Sequence, residues 1–206
     1  PLSAGILDKT IVLPLRAYAG ESGEVVATIS LEAQPTTTTN YGLFITTDCC
    51  AIDTFAGTGT AGFNTDGIGR LATQFNNPNA VRVDSDGNVY VADSQNYRLR
   101  KIDATTGLVS TIGGNGNAAI DPPVDGDTAT DQDFGQIRDF VIVGTNIYLA
   151  LYDWGQVAKI DLLTGLYYLI DDDFIPGDFV EGITADSAGN IYYSIADTAV
   201  VYKLVG

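Results

Sequence analysis

The sequence predicts an all-β protein assembled from copies of one small antiparallel sheet, and three observations predict it. Between Asn77 and Gly114 four short runs alternate apolar and polar residues, at 80–83, 89–92, 99–102 and 108–112. A period of two marks strands that bury one face. The segments Asp84-Ser85-Asp86-Gly87-Asn88 and Ala104-Thr105-Thr106-Gly107 put Gly where a hairpin needs positive φ, so the strands pair as a meander. The unit also recurs: Asp84-Ser85-Asp86-Gly87-Asn88-Val89-Tyr90 returns as Asp186-Ser187-Ala188-Gly189-Asn190-Ile191-Tyr192. Lys101-Ile102-Asp103, followed by Thr106-Gly107-Leu108, returns as Lys159-Ile160-Asp161, followed by Thr164-Gly165-Leu166. Tyr148 takes the place of Tyr90 in the middle copy, and the copies begin near Asn77, Gln136 and Phe179. A lone sheet of this size cannot bury both faces, so the copies must stack.

These residues, together with the Gly-rich connector 56–67 (AGTGTAGFNTDG), resemble the NHL repeat, the blade of a family of β-propellers. The resemblance is strongest over 54–114, present over 178–204 and weaker over 136–171. It implies a small β-propeller of about four NHL-like blades, whereas propellers of this family more often have six. It also implies that the two long connectors, 57–77 and 114–136, each join the outer strand of one blade to the inner strand of the next.

Residues 1–8 carry little signal and read as an arm. Over 10–19 the alternation of Ile11, Leu13, Leu15 and Ala17 against Val12, Pro14, Arg16 and Tyr18 predicts a strand. Pro14 cannot donate to a ladder and confines that strand to an edge. Its ending, Arg16-Ala17-Tyr18-Ala19-Gly20, is similar to Ser110-Thr111-Ile112-Gly113-Gly114, the outermost strand of a blade. A further strand is predicted over 24–31, then a Pro-Thr run at 35–39 and an abbreviated blade beginning at 41–46. The last repeat has runs at 180–185, 191–195 and 200–204 and no equivalent of 108–112 before Gly206. Propellers close an open edge by lending a strand from one terminus to the blade at the other. The expectation is therefore an arm and donated strand at 1–23 and a propeller at 24–206. Ile11, Leu13, Leu15 and Ala17 would meet Val200, Tyr202 and Leu204, in the same chain or in a neighbouring copy.

The start at Pro1, in a chain with no Met, predicts a mature product whose leader has been removed. No apolar run reaches the roughly 18 residues of a membrane span. The net charge of −16 repels phosphate backbones and argues against nucleic acid, although some NHL propellers bind RNA through a positive face. Cys49 and Cys50 are neighbours, leaving a strained vicinal bridge, free thiols or bonds to another chain as alternatives. No Asn-x-Ser/Thr acceptor occurs. Thr36, Thr37, Thr38 and Thr39 beside Pro35 form an O-glycan candidate or a polar loop.

Asp121, Asp125, Asp127, Asp131 and Asp133 make the second connector the best cation candidate, because hard ions such as calcium take several carboxylate and carbonyl oxygens. Their spacing does not match an EF-hand loop, and a solvated acidic loop is the plainer reading. Tyr90, Tyr148, Tyr192, Tyr193 and Trp154 either form a sugar-stacking face or fill the space between blades. Histidine is absent, which removes the usual general base near neutral pH and the commonest zinc ligand. The peptide-amidating lyases among the family's relatives need His-bound metal, so the resemblance does not extend to that activity.

The reading that results is a secreted or cell-surface, non-catalytic structural and interaction module that binds other copies of itself and builds a fibre head to tail by N-terminal strand donation. The alternatives are a metal-dependent hydrolase or lyase of the lactonase-like propeller type, with carboxylates around the axis, and a sensor domain with a small ligand on the connector face.

Overall fold

The computed structural model describes residues 7–16, 22–31, 52–171, 179–196 and 198–204, with 7–16, 22–31 and 171 described as backbone. Contacts divide the chain into two compact units, Pro1–Ala51 and Ile52–Gly206. In the first, β1 (Leu7–Arg16) and β2 (Ser22–Leu31) pair antiparallel in an unbroken register from Leu7↔Leu31 to Arg16↔Ser22. The strand thus starts at Leu7, inside the stretch expected to be an arm. Its partner is β2, which had been expected to begin the propeller. Pro14 lies opposite Glu24 in a two-stranded sheet, where every strand is an edge.

The second unit is three sheets built on one plan. Sheet I runs in the order β3 (Ile68–Gly69), β7 (Leu108–Gly113), β6 (Arg98–Ile102), β5 (Val89–Asp93), β4 (Pro78–Val83). Sheet II has β11 (Leu166–Asp171), β10 (Gln156–Asp161), β9 (Asn146–Leu151) and β8 (Ile137–Val143). Sheet III has β12 (Val180–Ala185), β13 (Ile191–Ile195) and β14 (Val200–Lys203). The long strands fall where the alternation places them, and the inner strand of each sheet begins within a residue or two of the predicted start of its repeat.

The turns repeat atom by atom. Asp84 Oδ1 accepts from the Asp86 and Asn88 amides, and its Oδ2 accepts from Asn88 Nδ2 and the Tyr90 hydroxyl. Asp186 does the same with Ala188, Asn190 and Tyr192. Gly87 at φ +83 and Gly189 at φ +85 occupy the left-handed position these turns need. The turn after Lys101 is held by Asp103 Oδ1, which accepts from the Thr105 and Thr106 amides; Asp161 Oδ1 accepts from Leu163 and Thr164 in the equivalent turn. A cross-strand Tyr-Lys pair recurs in all three sheets: Tyr90↔Lys101, Tyr148↔Lys159 and Tyr192↔Lys203.

Because side chains alternate along each strand, every sheet has a forward face, carrying that Tyr, and a backward face. The forward face of sheet I (Tyr90, Ala92, Leu99) packs against the backward face of sheet II (Phe140, Ile147, Leu149) in one core cluster. The forward face of sheet II (Tyr148, Ala150, Val157) packs against the backward face of sheet III (Ile183, Ile191, Tyr193) in a second. A third cluster, Val91, Ile102 and Val109 with Ala56 and Phe75, lies on the backward face of sheet I. Tyr90, Tyr148, Tyr193 and Trp154 thus fill the space between sheets, whereas Tyr192 lies on the forward face of sheet III. Burying these faces is the main source of stability, at about 25 cal/mol per Å² of apolar surface.

This is an all-β propeller-like architecture. The three sheets correspond to the three recognisable repeats, while the abbreviated blade expected from 41–46 lies outside the described residues.

Candidate functional site

In sheets I and II the connector that precedes each sheet returns to close its outer edge. Connector 57–77 lays β3 along β7: the Gly67 amide donates to the Val109 carbonyl at 2.8 Å and the Arg70 amide to the Gly107 carbonyl at 2.9 Å. Connector 114–136 does the same to β11, with the Gly126 amide on the Tyr167 carbonyl, the Tyr167 amide on the Asp127 carbonyl and the Ala129 amide on the Gly165 carbonyl, each at 2.8–2.9 Å. An outer strand so covered offers no row of unpaired amides.

The first connector is pinned by a buried ion network that the sequence reading missed. Arg100 on β6, fully buried, reaches Asp66 at 2.8 Å and Asp93 at 3.6 Å. The second distance is an ion pair beyond hydrogen-bond reach, and Arg100 Nε and Nη1 have no hydrogen-bond partner. Phe63 lies under both guanidinium groups, 3.9 Å from Arg98 and 4.8 Å from Arg100, and Asn96 Nδ2 donates to the Gly62 carbonyl. Burial pushes the Arg100 guanidinium down and the Asp93 carboxyl up, the latter against hydrogen bonds from Asn76 and Asn96 and the charge of Arg100. Arg98 and Arg100 flank Leu99 in a strand rich in basic residues, as solvent-facing strand residues do, so nothing in the local pattern marked them.

Two carboxylates of the second connector are taken up by nearby amides and Asn side chains. Asp125 Oδ1 accepts from the Leu169 amide, and Asp133 accepts from Asn115 Nδ2, Asn117 Nδ2 and the Asp121 amide. Partial burial works to raise the Asp133 carboxyl, and these donors outweigh it and hold it below the usual range. Asp127 contributes its carbonyl to β11, and Asp131 ends a short 3-10 turn, Ala129–Asp131. Among the described residues no three His, Cys, Asp or Glu side chains gather closely enough to hold a metal ion. The five aspartates are thus neighbours in sequence whose side chains are not brought together. The predicted Asp84–Asn88 hairpin turn is present, its carboxylate engaged as described above.

Sheet III differs from the other two. The connector that precedes it spans 172–179, against more than twenty residues in each of the others, and among the described residues β14 is the outermost strand. The Leu204 amide donates to the Ile191 carbonyl at 2.9 Å, which fixes the phase of the ladder. With Tyr193↔Tyr202 and Ile195↔Val200 in the same phase, the amides of Val201 and Lys203 point away from β13, to the open side. All four residues of β14 are exposed, Val201 at 71%. An edge strand bearing apolar side chains is a template for another strand. Of the predicted interface residues, Val200 and Tyr202 lie on this strand and Leu204 just after it. Ile11, Leu13 and Leu15 lie on β1. Ala17, Thr36 to Thr39, Cys49 and Cys50 lie outside the described residues.

No helix among the described residues is long and apolar enough to cross a membrane. Residues 75–102 match the family model of the NHL repeat, so the chain carries that repeat where β4, β5 and β6 lie. No curated protein matches the chain. Solved structures do. A streptogramin B lyase is 12% identical over 61% of this chain and 39% of its own, with a TM-score of 0.44. A structural genomics protein of unknown function from Bacteroides thetaiotaomicron is 32% identical over 47% of this chain and 24% of its own, with a TM-score of 0.40. The extracellular domain of a candidate one-component system from B. thetaiotaomicron is 12% identical over 68% of this chain and 20% of its own, with a TM-score of 0.41. The chain therefore spans well under half the length of these structures.

Proposed function

We propose that this protein is an extracellular, non-catalytic interaction module that assembles with other copies of itself, the edge of sheet III taking up the N-terminal strand of a neighbour. The observation that carries the reading is the contrast between edges: sheets I and II are closed by their own connectors, whereas β14 presents outward amides and exposed Val200, Val201 and Tyr202. Two further facts support it. Among the described residues the β1–β2 hairpin is a sheet of two strands, and isolated hairpins are at best marginally stable in water until a further strand joins them. The chain also has no His for acid-base work near neutral pH.

In this reading Ile11, Leu13, Leu15 and Ala17 align with Val200, Tyr202 and Leu204. Main-chain hydrogen bonds supply affinity and alternate side chains supply register. Donation from each copy to the next is head to tail, so it builds a fibre unless the rotation closes. Two variants of the full chain test it. Deleting residues 1–20 removes the donor, and Val201→Pro removes one outward amide while leaving the bonds from β14 to β13 intact. Both are expected to leave dispersed protein where the parent forms filaments in electron micrographs; an unchanged assembly state in both refutes the proposal.

A further inference from the structure

The faces of the sheets, as distinct from the edge discussed above, lead to a second contact. Position by position, Val81 in sheet I corresponds to Phe140 in sheet II and Ile183 in sheet III, because each lies one residue before the partner of the repeated Tyr. Phe140 is 0% exposed and Ile183 3%, each covered by the forward face of the preceding sheet, whereas Val81 is 56% exposed and Val83, two residues on, 62%. The opposite end is complementary. Ala92 and Ala150, on the forward faces of sheets I and II, are fully buried by the next sheet. Ser194, at the same position in sheet III, is only half-buried, and Thr184 beside it is exposed. There the side-chain-free Gly182, with Thr184, Tyr192, Ser194 and Val201, borders a shallow depression of about 270 Å³.

We infer that the forward face of sheet III takes the backward face of sheet I of a second copy. The I–II and II–III junctions each join a forward to a backward face, and among the described residues the stack ends with one uncovered face of each kind. The outer half of the backward face of sheet I is occupied by Ala56 and Phe75, which leaves its inner half, Val81 and Val83, as the docking surface. The contact is heterologous, since its two faces differ. Its register follows from the existing junction. Arg82 of sheet I lies over the Phe140 ring of sheet II at 5.6 Å. Thr184 occupies the position of Arg82 and Val81 that of Phe140, so Thr184 of one copy meets Val81 of the other.

The test uses the full chain in sedimentation velocity with two variants, Thr184→Lys and Val81→Glu, both at exposed positions. Each alone places an unpaired charge in the contact and is expected to weaken association roughly tenfold or more. An equimolar mixture sets the new ammonium of the Thr184→Lys copy against the new carboxylate of the Val81→Glu copy, and is expected to regain the parent's mass. A same-face or edge-only contact does not give that rescue. A monomeric parent, whose faces are then covered by another segment of the same chain, overturns the inference. Single variants that associate like the parent, or a mixture that fails to recover, also overturn it.

Discussion

At the scale of single residues, the carboxylates of this acidic chain act mainly as acceptors that shape turns. Asp84 takes four hydrogen bonds, and its turn is seated against the sheet by buried Asn88, whose Oδ1 accepts from the Ala104 amide. Asp84→Ala is expected to cost about 2–3 kcal/mol, read as a lowered denaturation midpoint. Asp186→Ala, at the solvent-facing copy of the turn, should cost less. The same groups set the acid response. Burial acts to raise the Asp84 and Asp133 carboxyls, yet the donors around them prevail and leave both low; hydrogen bonds, helped at Asp103 by the charge of Lys101, do the same for Asp103 and Asp186. A carboxyl held below its unfolded value of about 3.9 contributes stability that is complete above that pH and is lost as pH falls through the folded value. Buried Asp93 is raised and works in the opposite sense, but among the described residues one such group faces four. Midpoints measured against pH should therefore be level above about pH 5 and fall below about pH 4, with a shallower fall in Asp84→Asn. The turn aspartates were legible because their motif recurs; Arg100 was not, because its burial depends on Phe63 and Asp66, more than thirty residues away.

At the scale of elements, strand positions followed from alternation and turn chemistry, whereas the role of the connectors did not. A loop rich in Gly, Thr and Asn, and another rich in Asp, share no sequence pattern, yet both double back to pair with an outer strand. That pairing uses backbone groups, which every residue carries, so composition cannot announce it. Gly114 is the point where sheet I hands over to the second connector. It sits at φ +82, and a Cβ there would run into the Tyr97 carbonyl oxygen. Gly114→Ala should cost roughly 3 kcal/mol or more, because both the dihedral and the space are refused. Calorimetric melting would show it, and a change near zero would mean that the connector can move aside. The acidic connector illustrates the converse. Asp121 to Asp133 are close in sequence, yet Asp125 turns to the Leu169 amide and Asp133 to Asn115, Asn117 and the Asp121 amide.

At the scale of the whole molecule, the three sheets are joined by their faces, and one carboxylate on the inner strand of the middle sheet reaches both of its neighbours. Asp139 Oδ1 receives Arg82 from sheet I at 2.6 Å, and its Oδ2 accepts from the Ile183 amide of sheet III at 3.2 Å. Asp139→Ala should cost about 2 kcal/mol and, more tellingly, speed hydrogen exchange at Ile183 while the hairpin turns keep their protection. Uniform loss of protection would show instead that the sheets melt as one.

The order of local events is written in the chain itself: where strands run, where they turn, and that the unit repeats. These depend on side-chain alternation and on Gly at left-handed positions, both set by neighbours within a few residues. Only the tertiary structure decided which edges are closed and which face of each sheet is covered. Those outcomes depend on backbone groups and surfaces brought together across tens of residues, and no local pattern of side chains encodes them.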